Sequence, residues 1–255
     1  MLKKLFKQIL ASFNLAVMKK SSYVLLSESF KDWGTLEELS NEQLSLLLKW
    51  KEKSHAQLKQ DLFVLLELNF KREGFFVEFG ATNGKDLSNT MMLERDFDWN
   101  GILAEPAKVW HKDLRENRKA SIETACVWSE SGKELMFNEV NESELSTVSD
   151  YSSSDLHNES RKDGKMYTVE TISLLDLLIK HNAPKEIDYL SIDTEGSEFE
   201  ILNAFDFSKY NIKVISCEHN KTENRHKIYQ LLTSKGYKRK FAGLSNYDDW
   251  YVKIN

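Results

Sequence analysis

The pattern of apolar and polar positions divides the chain near residue 73. Before that point, leucines recur at helical spacing over residues 36–72, and no segment alternates in the way a strand does. We expect two helices there, the second over 55–71. Ser40 followed by Gln43 predicts a capping box at the start of the first helix.

From residue 75 onward, short apolar runs predict strands and the segments between them predict helices. The strands are expected at 75–79, 101–105, 121–127, 187–193 and 212–217, with a closing pair at 237–242 and 250–254. The helices are expected at 90–97, 108–117, 174–181, 196–204 and 224–235. This alternation is typical of an α/β protein with a mostly parallel sheet covered by helices on both faces.

The predicted organisation is a helical N-terminal extension, residues 1–72, on one α/β domain, residues 73–255. Within the domain, residues 138–165 are polar and aperiodic, which predicts an inserted loop that is a candidate lid. Residues 1–20 carry lysines and then an interrupted apolar run, which predicts an amphipathic helix. Such a helix packs on the domain or on a partner subunit of a homodimer, or it lies peripherally on a membrane.

Charge and cysteine content narrow the classes of partner. The chain has 35 Lys and Arg against 40 Asp and Glu, a net charge of -5, so it lacks the basic field that nucleic acid requires. Its two cysteines form no CxxC pair, which argues against a zinc or disulfide framework and favours a reducing, cytoplasmic setting. No run of 18 apolar residues occurs, so no transmembrane helix is predicted.

Two predicted strands end in residues suited to a nucleoside cofactor. The first ends in an E-x-G-x-x-x-G loop formed by Glu78, Gly80 and Gly84, where glycine allows a tight turn close to a ligand. The second ends at Glu105, whose carboxylate can accept both hydroxyls of a ribose. The loop lacks the glycine density of a pyrophosphate cradle, and the chain has no P-loop, so S-adenosylmethionine is favoured over NAD.

Two further strand ends carry acidic residues. Asp193 and Glu195 follow the fourth strand, and Glu218 and His219 follow the fifth. We expect Asp193, Glu218 and His219 to converge, with His219 as a base near neutral pH. The same three residues are candidate ligands for Mg²⁺ or Mn²⁺. The alternatives are a carboxylate at Glu195 that only favours a helix start and a purely structural His219.

Four motifs in this order resemble the FkbM-type S-adenosylmethionine-dependent methyltransferases. They are FVEFGATNG at 76–84, SNT at 88–90, GILAEP at 101–106 and DYLSIDTEGSE at 188–198. The resemblance covers roughly residues 54–254 and includes a Q-x-x-Q-D signature upstream, formed by Gln57, Gln60 and Asp61. This signature is either a lid over the cofactor or a solvated helix face.

The resemblance implies a class I, Rossmann-like methyltransferase fold, a seven-stranded sheet with one antiparallel strand near its C-terminal edge. It implies O-methylation of a hydroxyl, most often on a sugar or glycan. The glycine loop would cradle the methionine part of the cofactor, and Asp193 and Glu195 would lie beside the transferred methyl group. The implied cofactor contacts are Gln57, Asp61, Glu78, Gly80, Thr82, Asn83, Gly84, Ser88, Asn89, Thr90, Glu105 (ribose), Pro106, Cys126 and Val127 (adenine), and Asp193.

Two other functions are compatible with such a sheet. One is an NAD-dependent sugar-modifying enzyme, although the chain lacks the G-x-G-x-x-G loop of that class. The other is a non-catalytic Rossmann-like module, although Glu78, Gly80, Gly84 and Glu105 are all present.

Overall fold

The computed structural model describes Gly34 and residues 37–140, 146–149 and 164–254. The amphipathic helix predicted for residues 1–20, and its contacts with a membrane or a second subunit, lie outside this part of the chain. In the described part, no helix is long and apolar enough to cross a membrane.

Helices and strands alternate along most of the chain. The helices are α1 Asn41–Lys51, α2 Gln60–Glu67, α3 Met91–Phe97, α4 His111–Asn117, α5 Leu174–Lys180, α6 Glu198–Ala204 and α7 Asn224–Ser234, with a 3-10 turn at Lys108–Trp110. The strands are β1 Phe75–Phe79, β2 Asn100–Ala104, β3 Ser121–Glu123, β4 Cys126–Trp128, β5 Glu134–Glu139, β6 Thr147–Val148, β7 Lys165–Ser173, β8 Glu186–Ile192, β9 Asn211–Glu218, β10 Tyr237–Lys240 and β11 Asp248–Lys253.

The first two helices are confirmed with one correction. Ser40 and Gln43 form the predicted capping box, in which each side chain accepts the backbone N–H of the other residue, at 3.1 and 3.0 Å. The second helix is much shorter than the predicted 55–71. Lys59 and Asn69, on either side of it, have φ of 67° and 50°, and the left-handed backbone interrupts the helix that the leucine spacing suggested.

Seven strands form one mixed sheet in the order β10-β11-β9-β8-β1-β2-β3. Parallel pairs join β3, β2, β1, β8 and β9, whereas β11 runs antiparallel to both β9 and β10. Helices α5, α6 and α7 pack on one face through one apolar cluster, and α2, α3 and α4 pack on the other through a second cluster. The predicted α/β class is therefore confirmed.

A second, four-stranded sheet, in the order β4-β7-β5-β6, corrects two sequence predictions. The apolar run 121–127 is divided between β3 of the large sheet and β4 of the small one. The predicted loop 138–165 begins inside β5, contains β6 and ends inside β7. Exposed and buried residues are mixed along β7, so its sequence contains no continuous apolar run that would predict a strand. This small sheet packs against the segment that follows β2.

Candidate active site

A cleft of about 400 Å³ opens at the edge of the large sheet where β1, β2, β8 and β9 end. This is where ligands bind in open α/β sheets, and the size suits a small-molecule site. Residues from all four strand ends line the cleft, together with parts of the small sheet and of the segment before α2.

Gly80 brings the first strand end into contact with the end of β8. Its φ is +71°, and a Cβ at this position would lie 2.0 Å from the carbonyl oxygen of Asp193. The Gly80 N–H donates to Ala104 at the end of β2, at 3.0 Å. Only glycine satisfies both the left-handed backbone and the close approach, so this residue holds three strand ends together.

Glu78 is buried and faces the loop that leads into α3. Its carboxylate accepts the backbone N–H of Asn89 at 2.8 Å and the hydroxyls of Ser88 and Thr90. All three residues of the SNT motif, Ser88, Asn89 and Thr90, therefore donate hydrogen bonds to Glu78 in β1. Asn89 continues the network by donating from Nδ2 to Ser191 Oγ at 2.9 Å.

Arg118, which the sequence analysis missed, lies beneath this network. Its side chain has no exposed surface and donates to the carbonyl of Gly84 at 3.0 Å, to Ser88 at 3.1 Å and to Thr90 at 2.8 Å. It also pairs with Glu94 at 3.0 Å. In the sequence it belongs to a charged run that reads as a solvated helix end, so nothing marked it as buried.

Glu105 occupies the predicted position at the end of β2, with only 4% of its surface exposed. Its two carboxylate oxygens accept the backbone N–H groups of Thr82, at 2.8 Å, and Ala107, at 2.7 Å. Burial, reinforced by the nearby Glu139, raises the pKa of Glu105 to about 7. A carboxylate has about four acceptor positions, so two remain for a ligand.

The part of the cleft beside Glu105 is apolar. The lining there consists of Pro106, Trp110, Cys126, Val127, Phe137 and Val148. Cys126 and Val127 thus lie where the sequence analysis expected them, whereas Phe137 and Val148 come from the small sheet that it did not predict. The indole N–H of Trp110 is buried and has no hydrogen-bond acceptor among the described residues.

Three carboxylates converge at the opposite end of the cleft. Asp193, Glu195 and Glu218 each place an oxygen within 4.8 Å of the other two. Burial first, and then repulsion from neighbouring carboxylates, raises the pKa of Asp193 and of Glu218 well above the usual range. Glu195 has a φ of 58°, a strained value for a side chain of this size, and accepts Asn220 Nδ2 at 3.2 Å.

Glu198 has a different role from the other three carboxylates. It accepts the backbone N–H groups of Thr194 at 3.1 Å and Gly196 at 2.9 Å, and it also accepts the Thr194 hydroxyl. It thereby closes the turn between β8 and α6. This turn fixes the direction in which Glu195 points.

His219 is not brought to this cluster, which corrects the expected set of Asp193, Glu218 and His219. Its ring is buried outside the lining of the cleft, with Nδ1 accepting the Lys221 N–H at 2.9 Å and Nε2 3.8 Å from Asp249. Burial lowers the pKa of His219 to about 4. Successive residues of a strand point to opposite faces, so Glu218 and His219 diverge and Glu195 takes the third place.

The upstream signature is divided between the cleft and the core. Gln57 and Gln60 line the cleft, and Gln60 Nε2 donates to Asp248 at 2.8 Å. Asp61 lies outside the lining and accepts the Ser54 hydroxyl at 2.6 Å and the Leu62 N–H at 2.8 Å. Asp61 thus fixes the start of α2, whereas its neighbour Gln60 faces the cleft.

Tyr247, which no sequence motif indicates, also lines the cleft near the acidic cluster. It precedes β11, whose first residue, Asp248, lies opposite Glu218. Its carbonyl accepts the backbone N–H groups of His219 at 2.9 Å and Asn220 at 3.3 Å. A single tyrosine between two short strands carries no signal that distinguishes it from a packing residue.

A family model described as the methyltransferase FkbM domain matches residues 78–239. The chain belongs to the FkbM methyltransferase family. The resemblance noted from the motifs is therefore confirmed. The FkbM domain includes the Glu78 network, Glu105 and the acidic cluster, whereas Gln57 and Gln60 precede it in the chain and nevertheless line its cleft.

Comparison of the FkbM protein with solved structures finds the precorrin-6y C5,15-methyltransferase from Geobacter metallireducens GS-15. The two chains are 11% identical, 71% of each chain is covered, and the TM-score is 0.41. A search of curated proteins finds no significant match.

Proposed function

We propose that the cleft binds S-adenosylmethionine and that the protein transfers its methyl group to a hydroxyl, on a sugar or glycan. The carrying observation is the order of groups along the strand ends, from the Gly80 loop through Glu105 to the apolar slot at Cys126 and Val127. This order matches an amino acid, a ribose and an adenine in turn. The strand order, with β11 antiparallel, supports a class I methyltransferase fold.

The residues present fit this cofactor. The cleft contains buried polar groups that lack partners among the described residues. These groups are Asn89 Oδ1 and Glu218 Oε2, which are acceptors, and Trp110 Nε1, which is a donor. Because unpaired buried polar groups are costly, a ligand with matching groups would be stabilised here. The acidic end complements a positively charged sulfonium.

In the proposed reaction the acceptor oxygen attacks the methyl carbon in line with the sulfur. The oxygen–carbon bond forms, the sulfur–carbon bond breaks with its electron pair remaining on sulfur, and the hydroxyl proton passes to water. Much of the rate would come from positioning of the two reactants. Asp193 adjoins the Gly80 loop, so we place it beside the transferred methyl group, and Glu195 and Tyr247 on the acceptor side. Tyr247 offers an aromatic surface for a sugar ring.

The test is a screen of nucleotide sugars and glycans with S-adenosylmethionine, read by mass spectrometry as the mass of one added methylene. Replacing Asp193 by Asn is expected to lower turnover about 100-fold, the size of the loss when the positioning of the reactants is disturbed. The free energy of unfolding should not fall, because the neutral amide relieves the crowding of buried carboxylates that raises the pKa of Asp193. Exposed Asp113, changed to Asn, is the control.

Near-normal turnover of the Asp193→Asn variant would remove Asp193 from the reaction. The two competing functions are distinguished by measuring the binding of NAD and of S-adenosylmethionine to the same purified protein. Binding of NAD without binding of S-adenosylmethionine would favour an NAD-dependent sugar-modifying enzyme. Binding of neither would favour a non-catalytic module.

A further inference from the structure

Thr147 joins the small sheet to the turn between β8 and α6. It lies in β6, whose two residues pair with Phe137 and Asn138 of β5. Thr147 is only 1% exposed, and its hydroxyl donates to the carbonyl of Glu195 at 3.0 Å, with the carbonyl of Thr194 at 3.4 Å. A side chain of the small sheet therefore holds the backbone of the turn that carries Glu195.

The turn needs such support because of its backbone conformation. Glu195 has a φ of 58°, a left-handed value that a residue with a Cβ adopts only when its surroundings hold it. Glu198 accepts the N–H groups of the turn at Thr194 and Gly196, whereas Thr147 donates to the carbonyls of the turn. Glu198 belongs to α6 beside the turn itself, so Thr147 is a contact through which the conformation of Glu195 depends on the small sheet.

The strand β6 also faces the apolar part of the cleft. Ser146 and Val148 line the cleft, as does Phe137 opposite Val148, whereas Thr147 lies outside the lining. Successive residues of a strand point to opposite sides, so Val148 faces the cleft while Thr147 faces the turn. This strand is therefore placed between the apolar part of the cleft and the turn that carries Glu195.

We infer that Thr147 is a positioning residue that makes the placement of Glu195 depend on the cofactor. The inference rests on the proposed function, in which adenine occupies the apolar slot and Glu195 lies on the acceptor side. An adenine packed against Val148 would restrict β6, and the Thr147 hydroxyl would then fix the turn that carries Glu195. Because the cofactor has already ordered this turn, the methyl acceptor would bind more tightly to the cofactor complex than to the free protein.

Hydrogen–deuterium exchange of the full chain, read by mass spectrometry on peptides covering residues 193–200, tests this inference without an acceptor. In the wild type, saturating S-adenosylhomocysteine, the demethylated cofactor, should slow exchange there. Thr147→Val removes the hydroxyl and keeps the shape of the side chain, so exchange in the free protein should rise about two- to tenfold, the effect of one hydrogen bond. Saturating S-adenosylhomocysteine should no longer slow exchange in this variant.

Two control variants separate the hydroxyl from packing. Thr147→Ser keeps the hydroxyl but loses the methyl group, and it should exchange as the wild type does. Thr168→Val makes the same change at an exposed threonine of β7, whose hydroxyl lies 3.8 Å from Met136 Sδ, and it should also leave exchange at residues 193–200 unchanged. Circular dichroism verifies that each variant is folded.

The inference is overturned if Thr147→Val exchanges as the wild type does, or if Thr147→Ser exchanges as Thr147→Val does. It is also overturned if S-adenosylhomocysteine binds the wild type, as calorimetry measures in parallel, without slowing exchange at residues 193–200. Absence of binding would instead contradict the proposed function and with it the dependence on the cofactor. The comparison of the free variants would still show whether Thr147 positions Glu195.

Discussion

At the scale of single residues, the cleft is formed by side chains that follow directly on the strand ends. Gly80 and Glu105 could be located from the sequence because an apolar run fixes where its strand stops, and the next residues face the cleft. His219 could not be placed in this way, because a one-residue step reverses the direction of the side chain. Arg118 and Tyr247 could not be found, because their importance comes from contacts between residues distant in sequence.

Gly80 provides a prediction with a matched control. Gly132 has a similar φ, +74°, but nothing lies within 4 Å of its missing Cβ, whereas a Cβ at Gly80 would collide with Asp193. Gly132→Ala should therefore cost only the left-handed strain, about 1–2 kcal/mol. Gly80→Ala adds the cost of overpacking, for roughly 2–5 kcal/mol in total, and should abolish cofactor binding. Urea unfolding and calorimetry measure both effects. Equal destabilisation by the two changes would show that the contact with Asp193 is unimportant.

Glu105 provides a prediction about pH. With a pKa of about 7, its carboxyl is protonated below neutrality and cannot accept two ribose hydroxyls. Binding that requires the ionised form should weaken as pH falls, with the Kd of S-adenosylmethionine rising up to about tenfold per pH unit between 7 and 6 and staying constant above 8. In Glu105→Gln this component should disappear. The ribose role is wrong if the wild type and the variant show the same pH dependence.

At the scale of elements, the apolar runs predicted the strands of the large sheet to within a few residues, because its central strands β1, β2, β8 and β9 are buried on both faces. The small sheet was not predicted, since β5 and β7 are partly exposed and mix polar with apolar positions. The ends of α2 were also missed, because the left-handed residues at Lys59 and Asn69 are not glycines. The part of the cleft formed by the strand ends of the large sheet could therefore be predicted from the sequence, whereas the part formed by the small sheet could not.

Arg118 is the residue through which α4, α3 and the loops after β1 are joined. Arg118→Met leaves Glu78 buried without its nearest positive charge, 3.7 Å away, and removes the donor to Gly84. Breaking a buried ion pair in this way costs about 3–5 kcal/mol. Urea denaturation should show this loss, while Arg115→Met, on the exposed side of α4, should stay within about 0.5 kcal/mol of the wild type. Similar stabilities of the two variants would contradict the role of Arg118.

At the scale of the whole molecule, part of the excess of acidic residues that gives the chain its mild negative charge is concentrated at the cleft. The end of the sheet gathers carboxylates from β8, β9 and β11 around one cleft, and helices packed on both faces hold those strands in place. The family assignment supports methyl transfer. The identity of the methyl acceptor cannot be inferred from the sequence, because the cleft is lined by residues from several separate segments that form no recognisable motif.

The most direct test of the central claim is calorimetric titration of the full chain with S-adenosylmethionine. The account predicts one cofactor per chain, and a Kd weakened about 10- to 150-fold in Glu105→Ala, the equivalent of roughly 1.5–3 kcal/mol for hydrogen bonds to a charged group. Exposed Glu116, changed to Ala, should bind as the wild type does. Absence of binding at millimolar cofactor, or equal affinity of the wild type and Glu105→Ala, would contradict it.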